Sequence, residues 1–269
     1  MVRIASAVLL IAVVAGTIWW LPWWVTLILA AGVAALGGRE LAGLATHAGT
    51  PVPPGFLSLA SGATALMTAV SGRTEIGLSS DGLPALLLLI MIATGLIALV
   101  SGPPSPLTLT RLGILCLAPL YVGMPLGAIA RAHATLGPAA ITWFIGVVAT
   151  SDSAQYYTGR LIGVHKLAPV VSPAKTIEGA VGGFALSALA GAAFAAWGLI
   201  DLQPITGAML ALLLAGFGMC GDLFESLLKR SAGVKDSAAL IPGHGGVLDR
   251  LDSYLFAGPV FYLFVRFVV

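Results

Sequence analysis

Long apolar stretches with almost no charge between them constrain this chain more than any other feature. PALLLLIMIATGLIALV at 84–100 carries no charged side chain, and comparable runs recur from end to end. Across 269 residues, 58% are hydrophobic and only 9% charged, with a mean hydropathy of +1.02. Soluble domains carry about 25% charged residues. No soluble interior hides this much apolar side chain, whereas lipid accepts apolar surface on every side of a helix. Strand-like alternation is absent, which argues against a transmembrane barrel. A net charge of +2 implies no nucleic-acid partner. Cys116 and Cys220 lie far apart within apolar runs and match no metal-ligand spacing.

A span takes about 20 apolar residues. Nine candidates follow: 3–21, 23–38, 55–71, 84–100, 109–130, 138–158, 179–200, 204–228 and 253–269. The expected fold class is all-α, a polytopic integral membrane protein with about nine transmembrane helices. The opening MVRIASAVLLIAVVAGTIWW reads as a retained first span, because it runs into Trp19 and Trp20 without a cleavage site. Breaks carry turn chemistry: TPVPPG at 50–55, SGPPSP at 101–106 and LGP at 136–138. If 159–178 and 229–252 are cytoplasmic, ten basic residues fall inside: Arg3, Arg39, Arg111, Arg160, Lys166, Lys175, Lys229, Arg230, Lys235 and Arg250. Only Arg73, Arg131 and Arg266 fall outside. That bias predicts a cytoplasmic N-terminus and a multi-pass protein of the inner (plasma) membrane.

Charge is unevenly spread. Residues 1–150 hold 8 of the 24 charged side chains. We therefore expect 1–135 to be a transmembrane scaffold, with a homodimer interface or lipid entry as its further role, and 136–269 to be the catalytic domain. Polar groups there concentrate in TSDSAQYYTGR at 150–160, SPAKTIEG at 172–179, and the stretch from GDLFES at 221–226 to PGHGGVLDRLDS at 242–253. The predicted topology puts all three at one membrane face.

Asp249 and Asp252, spaced i,i+3, share one face of a helix start. Adjacent carboxylates repel unless a cation lies between them, and hard oxygen ligands suit Mg²⁺. A first-turn carboxylate pair complementing the helix dipole is the ordinary alternative. Arg250 between them can clamp an anion. Gly245 and Gly246 let backbone N–H groups approach a phosphate at a helix N-terminus, or simply form a turn after Pro242. His244 is a candidate ligand or phosphate donor, but no second histidine nearby supports zinc. Asp222 is a candidate third carboxylate, or an ion-pair partner of Lys229 or Arg230. Lys175, Thr176 and Glu178 open a helix after Ser172, with Lys175 able to reach phosphate. Asp152 is a candidate substrate contact.

Residues 226–252, SLLKRSAGVKDSAALIPGHGGVLDRLD, resemble the signature of the phosphatidate cytidylyltransferase (CDP-diacylglycerol synthase) family. Eleven positions stand in register: Ser226, Lys229, Arg230, Lys235, Asp236, His244, Gly245, Gly246, Asp249, Arg250 and Asp252. SPAKTIEG is similar to the family's Ser-Pro-Lys-Lys-Thr-x-Glu-Gly segment and departs from it at Ala174. The resemblance covers roughly 150–269. It implies cytidylyl transfer from CTP to phosphatidate, giving CDP-diacylglycerol and pyrophosphate, with membrane lipids as the surroundings. It also implies cations, Mg²⁺ and a second such as K⁺, held by Asp222, Asp249 and Asp252. On the same basis Lys229, Arg230, His244 and Arg250 join the catalytic set. Asp152, Ser172, Lys175, Thr176, Glu178, Ser226, Lys235, Asp236, Gly245 and Gly246 join the substrate-binding set. Two other readings stay open: a CTP-dependent polyprenol or phytol kinase, and an ion-coupled transporter. Transporters usually show inverted repeats with midplane charges, and no such repeat is evident.

Overall fold

A computed structural model describes residues 12–73, 79–238 and 245–268. Its helices are α1 (Trp23–His47), α2 (Pro54–Val70), α3 (Gly82–Val100), α4 (Thr108–Ala118), α5 (Met124–Ile162), α6 (Ile177–Ala196), α7 (Pro204–Ser231) and α8 (Leu248–Val268). A π-helical turn, Pro119–Gly123, joins α4 to α5. Among the described residues, six helical stretches are long and apolar enough to cross a membrane, and α2 is a shorter apolar helix. The chain is a polytopic membrane protein. Of the first expected span, 3–11 lie outside the described residues, and 12–20 are helical.

The stretch Thr108–Ile162 is helical over 55 residues. At 1.5 Å per residue that is about 80 Å, far more than the roughly 30 Å of a bilayer core. It divides at Gly137, whose φ of 81° leaves the helical region. Pro138 supplies no N–H and disfavours helical geometry in the residue before it, so a glycine takes that position. The LGP break was expected there. Elsewhere the boundaries move. The second span, expected over 23–38, continues through GGRELAGLATH to His47. The loop between α5 and α6 is not purely irregular: β1 (Lys166–Ala168) and β2 (Ser172–Thr176) form an antiparallel ribbon, with Lys166 opposite Thr176.

Helices inside a bilayer gain little from apolar contact alone, so close backbone approach matters. Between α6 and α7, a Cβ on Gly191 would lie 2.6 Å from the Gly207 carbonyl oxygen. One core joins the second leg of α5 to α7 and α8, with Phe144 and Phe261 stacked at 4.9 Å and Trp143 donating to the Gly191 carbonyl at 3.1 Å. A second core gathers Leu41, Leu57, Leu115 and Val122 around Leu248 and Leu255. The N-terminal helices therefore pack directly on the start of α8.

Candidate active site

The C-terminal ends of α5 and α7 and the N-terminal ends of α6 and α8 meet at one end of the bundle. There the β-ribbon folds over them. Thr176 ends β2 and caps α6, its Oγ1 accepting from the Gly179 N–H at 3.1 Å. This geometry sends Lys175 across to α7, where its Nζ lies 2.7 Å from Asp222 Oδ2. Ser226 donates to the other Asp222 oxygen at 3.3 Å. A cavity of about 460 Å³ opens here, lined by Asp152, Ser172, Lys175, Thr176 and Asp222 among others. Pockets of this size hold small ligands. Arg160, counted in the sequence only for topology, also lines it and takes the Tyr156 hydroxyl as acceptor at 3.2 Å.

A second network lies beside the cavity. Lys229 is buried and donates to Glu225 Oε2 at 2.9 Å and to Asp249 Oδ1 at 2.6 Å. Glu225 is fully buried, and its Oε1 has no hydrogen-bond partner among the described residues. Asp252 faces Asp222 and Asp152 closely enough for their like charges to repel. Ser253 ties that group together by donating to Asp152 at 3.2 Å.

The start of α8 differs from the phosphate cradle expected of GHGG. Asp249 Oδ2 accepts from Gly246 N at 2.8 Å, from Ser237 N at 2.9 Å and from Ser237 Oγ at 2.9 Å. Glu40, from α1, accepts from Val247 N at 2.7 Å, Leu248 N at 2.9 Å and Ser237 Oγ at 2.9 Å. The N–H groups of Gly246, Val247 and Leu248 thus point at the protein's own carboxylates. Gly245 has a φ of 80°, which only glycine takes without strain. Gly246 is needed for space, since a Cβ would run into Ser237 Oγ and Glu40.

Glu178 and Arg230, both expected at the site, bond elsewhere. Glu178 clamps the ribbon, accepting from Val164 N at 3.1 Å, from His165 N and from the His165 ring. Arg230 donates to the Val234 carbonyl at 3.1 Å, closing the end of α7. Lys235, Asp236 and Arg250 are exposed. His244 lies outside the described residues. Glu40 was missed altogether. Its only signal is an acidic residue directly after an apolar span, which reads as a span end.

Metal fit depends on how fully each carboxylate is engaged within the protein. Among the described residues, no three His, Cys, Asp or Glu side chains converge as a ready metal cage. Asp249 spends its oxygens on Lys229, Ser237 and Gly246. Asp222 accepts from Lys175 and Ser226 but borders the open cavity, and with Asp252 beside it presents hard oxygens of the kind that suit a divalent cation bound together with substrate phosphates.

Comparison with known proteins decides the family. A model described as the cytidylyltransferase family matches residues 1–268. The chain belongs to the cytidylyltransferase family. It is 38% identical over 157 residues to a phosphatidate cytidylyltransferase of Bacillus subtilis, covering 58% of each chain. It is 40% identical over 185 residues to one of Synechocystis, covering 65% of this chain and 62% of the other. An Escherichia coli protein named uncharacterized protein YnbB is 40% identical over 131 residues, 49% of this chain and 44% of the other. These matches span about half the length of the curated relatives.

Proposed function

We propose that the protein transfers the cytidylyl group of CTP to phosphatidate. A phosphatidate phosphate oxygen attacks the α-phosphorus of CTP, the bond between the α- and β-phosphoryl groups breaks, and pyrophosphate leaves. The observation that carries this reading is the Lys175–Asp222 pair in the cavity at one end of the bundle. The nucleophile is already an anion and needs no strong base. The barrier is the meeting of several negative groups, which cationic side chains and preorganised charge lower. Lys175 and Arg160 supply positive charge at the cavity, and Lys229 holds Asp249 in place. Asp222 and Asp252 would hold Mg²⁺, which would neutralise charge on the phosphates. The site then lies on the cytoplasmic face of the plasma membrane, where CTP arrives from water and the lipid from the bilayer. The relatives from Bacillus subtilis and Synechocystis, phosphatidate cytidylyltransferases, support the same lipid substrate.

The test supplies purified protein with labelled CTP, Mg²⁺ and phosphatidate, and in a parallel reaction a polyprenol. Labelled CDP-diacylglycerol supports the reading. A prenol phosphate formed instead overturns it in favour of the kinase. Sidedness is tested in a variant lacking Cys116 and Cys220. Single cysteines at 235 and 80 should label from opposite sides of intact cells, and labelling of both from outside overturns the orientation.

A further inference from the structure

Glu40 belongs to α1, in the half of the chain that reads as scaffold, yet it is 4% exposed and fully engaged at the catalytic end. Three donors hold it: the Ser237 hydroxyl at 2.9 Å, Val247 N at 2.7 Å and Leu248 N at 2.9 Å. Ser237 lies just past the end of α7, and Val247 and Leu248 open α8. One carboxylate therefore binds both banks of the segment between those helices. The first N–H groups of a helix have no partner within it, and a negative charge there also complements the helix dipole. Burying a carboxylate is costly, and packing alone would favour an apolar side chain at this position. The surrounding shape is specific. A Cβ on Gly37 would lie 3.1 Å from Leu248 Cδ2, so α1 meets α8 almost backbone to side chain one turn before Glu40. Ser237 Oγ lies 2.9 Å from both Glu40 and Asp249, so the N-terminal carboxylate and the motif carboxylate share the single proton of one hydroxyl.

We infer that Glu40 is a positioning residue of the active centre, an N-terminal carboxylate that sets the register of the α8 start and, through Ser237, of Asp249. The inference deepens the nucleotide reading of this site and rests on it. It gives the N-terminal helices a part in nucleotide binding beyond scaffolding: they supply the support on which the DRLD turn is seated.

The test is equilibrium binding of CTP to full-length protein in detergent, which needs no lipid substrate, followed by kcat and KM. Glu40→Gln keeps size but turns an NH₂ toward N–H donors. Measured on the folded protein, it should weaken CTP binding at least threefold and raise KM in step, whatever fall in melting temperature the unsatisfied N–H groups bring. A fall in folded fraction alone would lower kcat and leave both constants where they were. Glu40→Asp retains the charge and both oxygens and should lie nearer wild type than Glu40→Gln. Ser58→Ala removes a hydrogen bond between α2 and the Ala35 carbonyl of α1, outside the site, and should bind CTP as wild type does. If Glu40→Gln does not fold, Ser237→Ala carries the test, on the same threshold. A change below threefold, a Gln variant matching or exceeding Asp, or an equal loss in Ser58→Ala overturns the inference. A wild type that binds CTP but yields no CDP-diacylglycerol overturns the lipid reading alone, while one that binds no CTP overturns both.

Discussion

At the start of α6 the capping hydroxyl of Thr176 sits three residues before the N–H it accepts from. At the start of α8, Asp249 makes the same kind of local contact with Gly246, but the next two N–H groups are satisfied from 207 and 208 residues away. Both helix starts border the same end of the bundle. The first can form from its own segment once the ribbon is in place. The second is complete only when α1 has packed against it. A helix start that carries Lys175 beside an open cavity tolerates local control. One that carries Asp249 and Asp252 beside a buried Glu225–Lys229 pair needs its position set by the whole fold.

That contrast predicts the deepest losses at the α8 side. Lys229→Ala would leave Glu225 and Asp249 buried without their shared cation. Breaking a buried pair by removing one partner costs about 3–5 kcal/mol, so a large fall in melting temperature and in yield is expected. A variant with wild-type thermal stability would show that the pair contributes little. Next in size, Asp252→Asn and Asp249→Asn should each lower turnover by about two orders of magnitude, as when one preorganised charge-stabilising group is lost. For Asp249→Asn part of the loss is structural, since an amide cannot accept from Lys229, Ser237 and Gly246 together. Near-normal kcat in Asp252→Asn at saturating Mg²⁺ would remove that residue from the chemistry.

The α6 side should respond more gently. Lys175→Ala removes one charge from an open cavity and leaves Asp222 within reach of water. A charge-assisted hydrogen bond contributes about 1–3 kcal/mol, so CTP affinity should fall by roughly 5- to 150-fold while folding is kept. Isothermal titration with CTP reads this directly. Unchanged affinity would confine nucleotide binding to the α7 and α8 ends, leaving the ribbon as a cover.

Legibility in the sequence follows the same division. Local chemistry could be read: the LGP break at Gly137, the Thr176 start of α6, and the residue types at Lys175 and Asp222 that meet in the cavity. What a single segment does not encode could not. Arg39 and Glu40 look like the end of a span because ionised groups are dear in lipid. The N–H groups of Val247 and Leu248 and the Ser237 hydroxyl, supplied from the far end of the chain, make burial of Glu40 tolerable. Direction was equally hidden. Arg230 carries the charge expected at the site, yet as the last turn of α7 frays into a loop its guanidinium reaches the Val234 carbonyl instead. The ribbon strands are too short for alternation to show.

The smallest effect tests whether the α6 start is as self-contained as its geometry suggests. Thr176→Ala deletes the hydroxyl that accepts from Gly179 and leaves the strand-to-helix path of the backbone intact. Loss of such a cap costs about 1 kcal/mol, within a range of roughly 0.5–2. The cap is buried, so the orphaned Gly179 N–H has no easy access to water, which places the expected value in the upper part of that range. The neighbouring Glu178 clamp on residues 164–165 does not pass through Thr176 Oγ1 and should hold the ribbon in place. Lys175 should then still reach Asp222, so CTP affinity should change less than in Lys175→Ala, and Thr176→Ala and Glu40→Gln should add when combined, because they act on different helix starts. Denaturation midpoints and CTP titrations on the two single variants and the double variant measure this. Strong non-additivity would mean that the two helix starts move as one unit, and the distinction between a locally built and a globally built side of the site would fall.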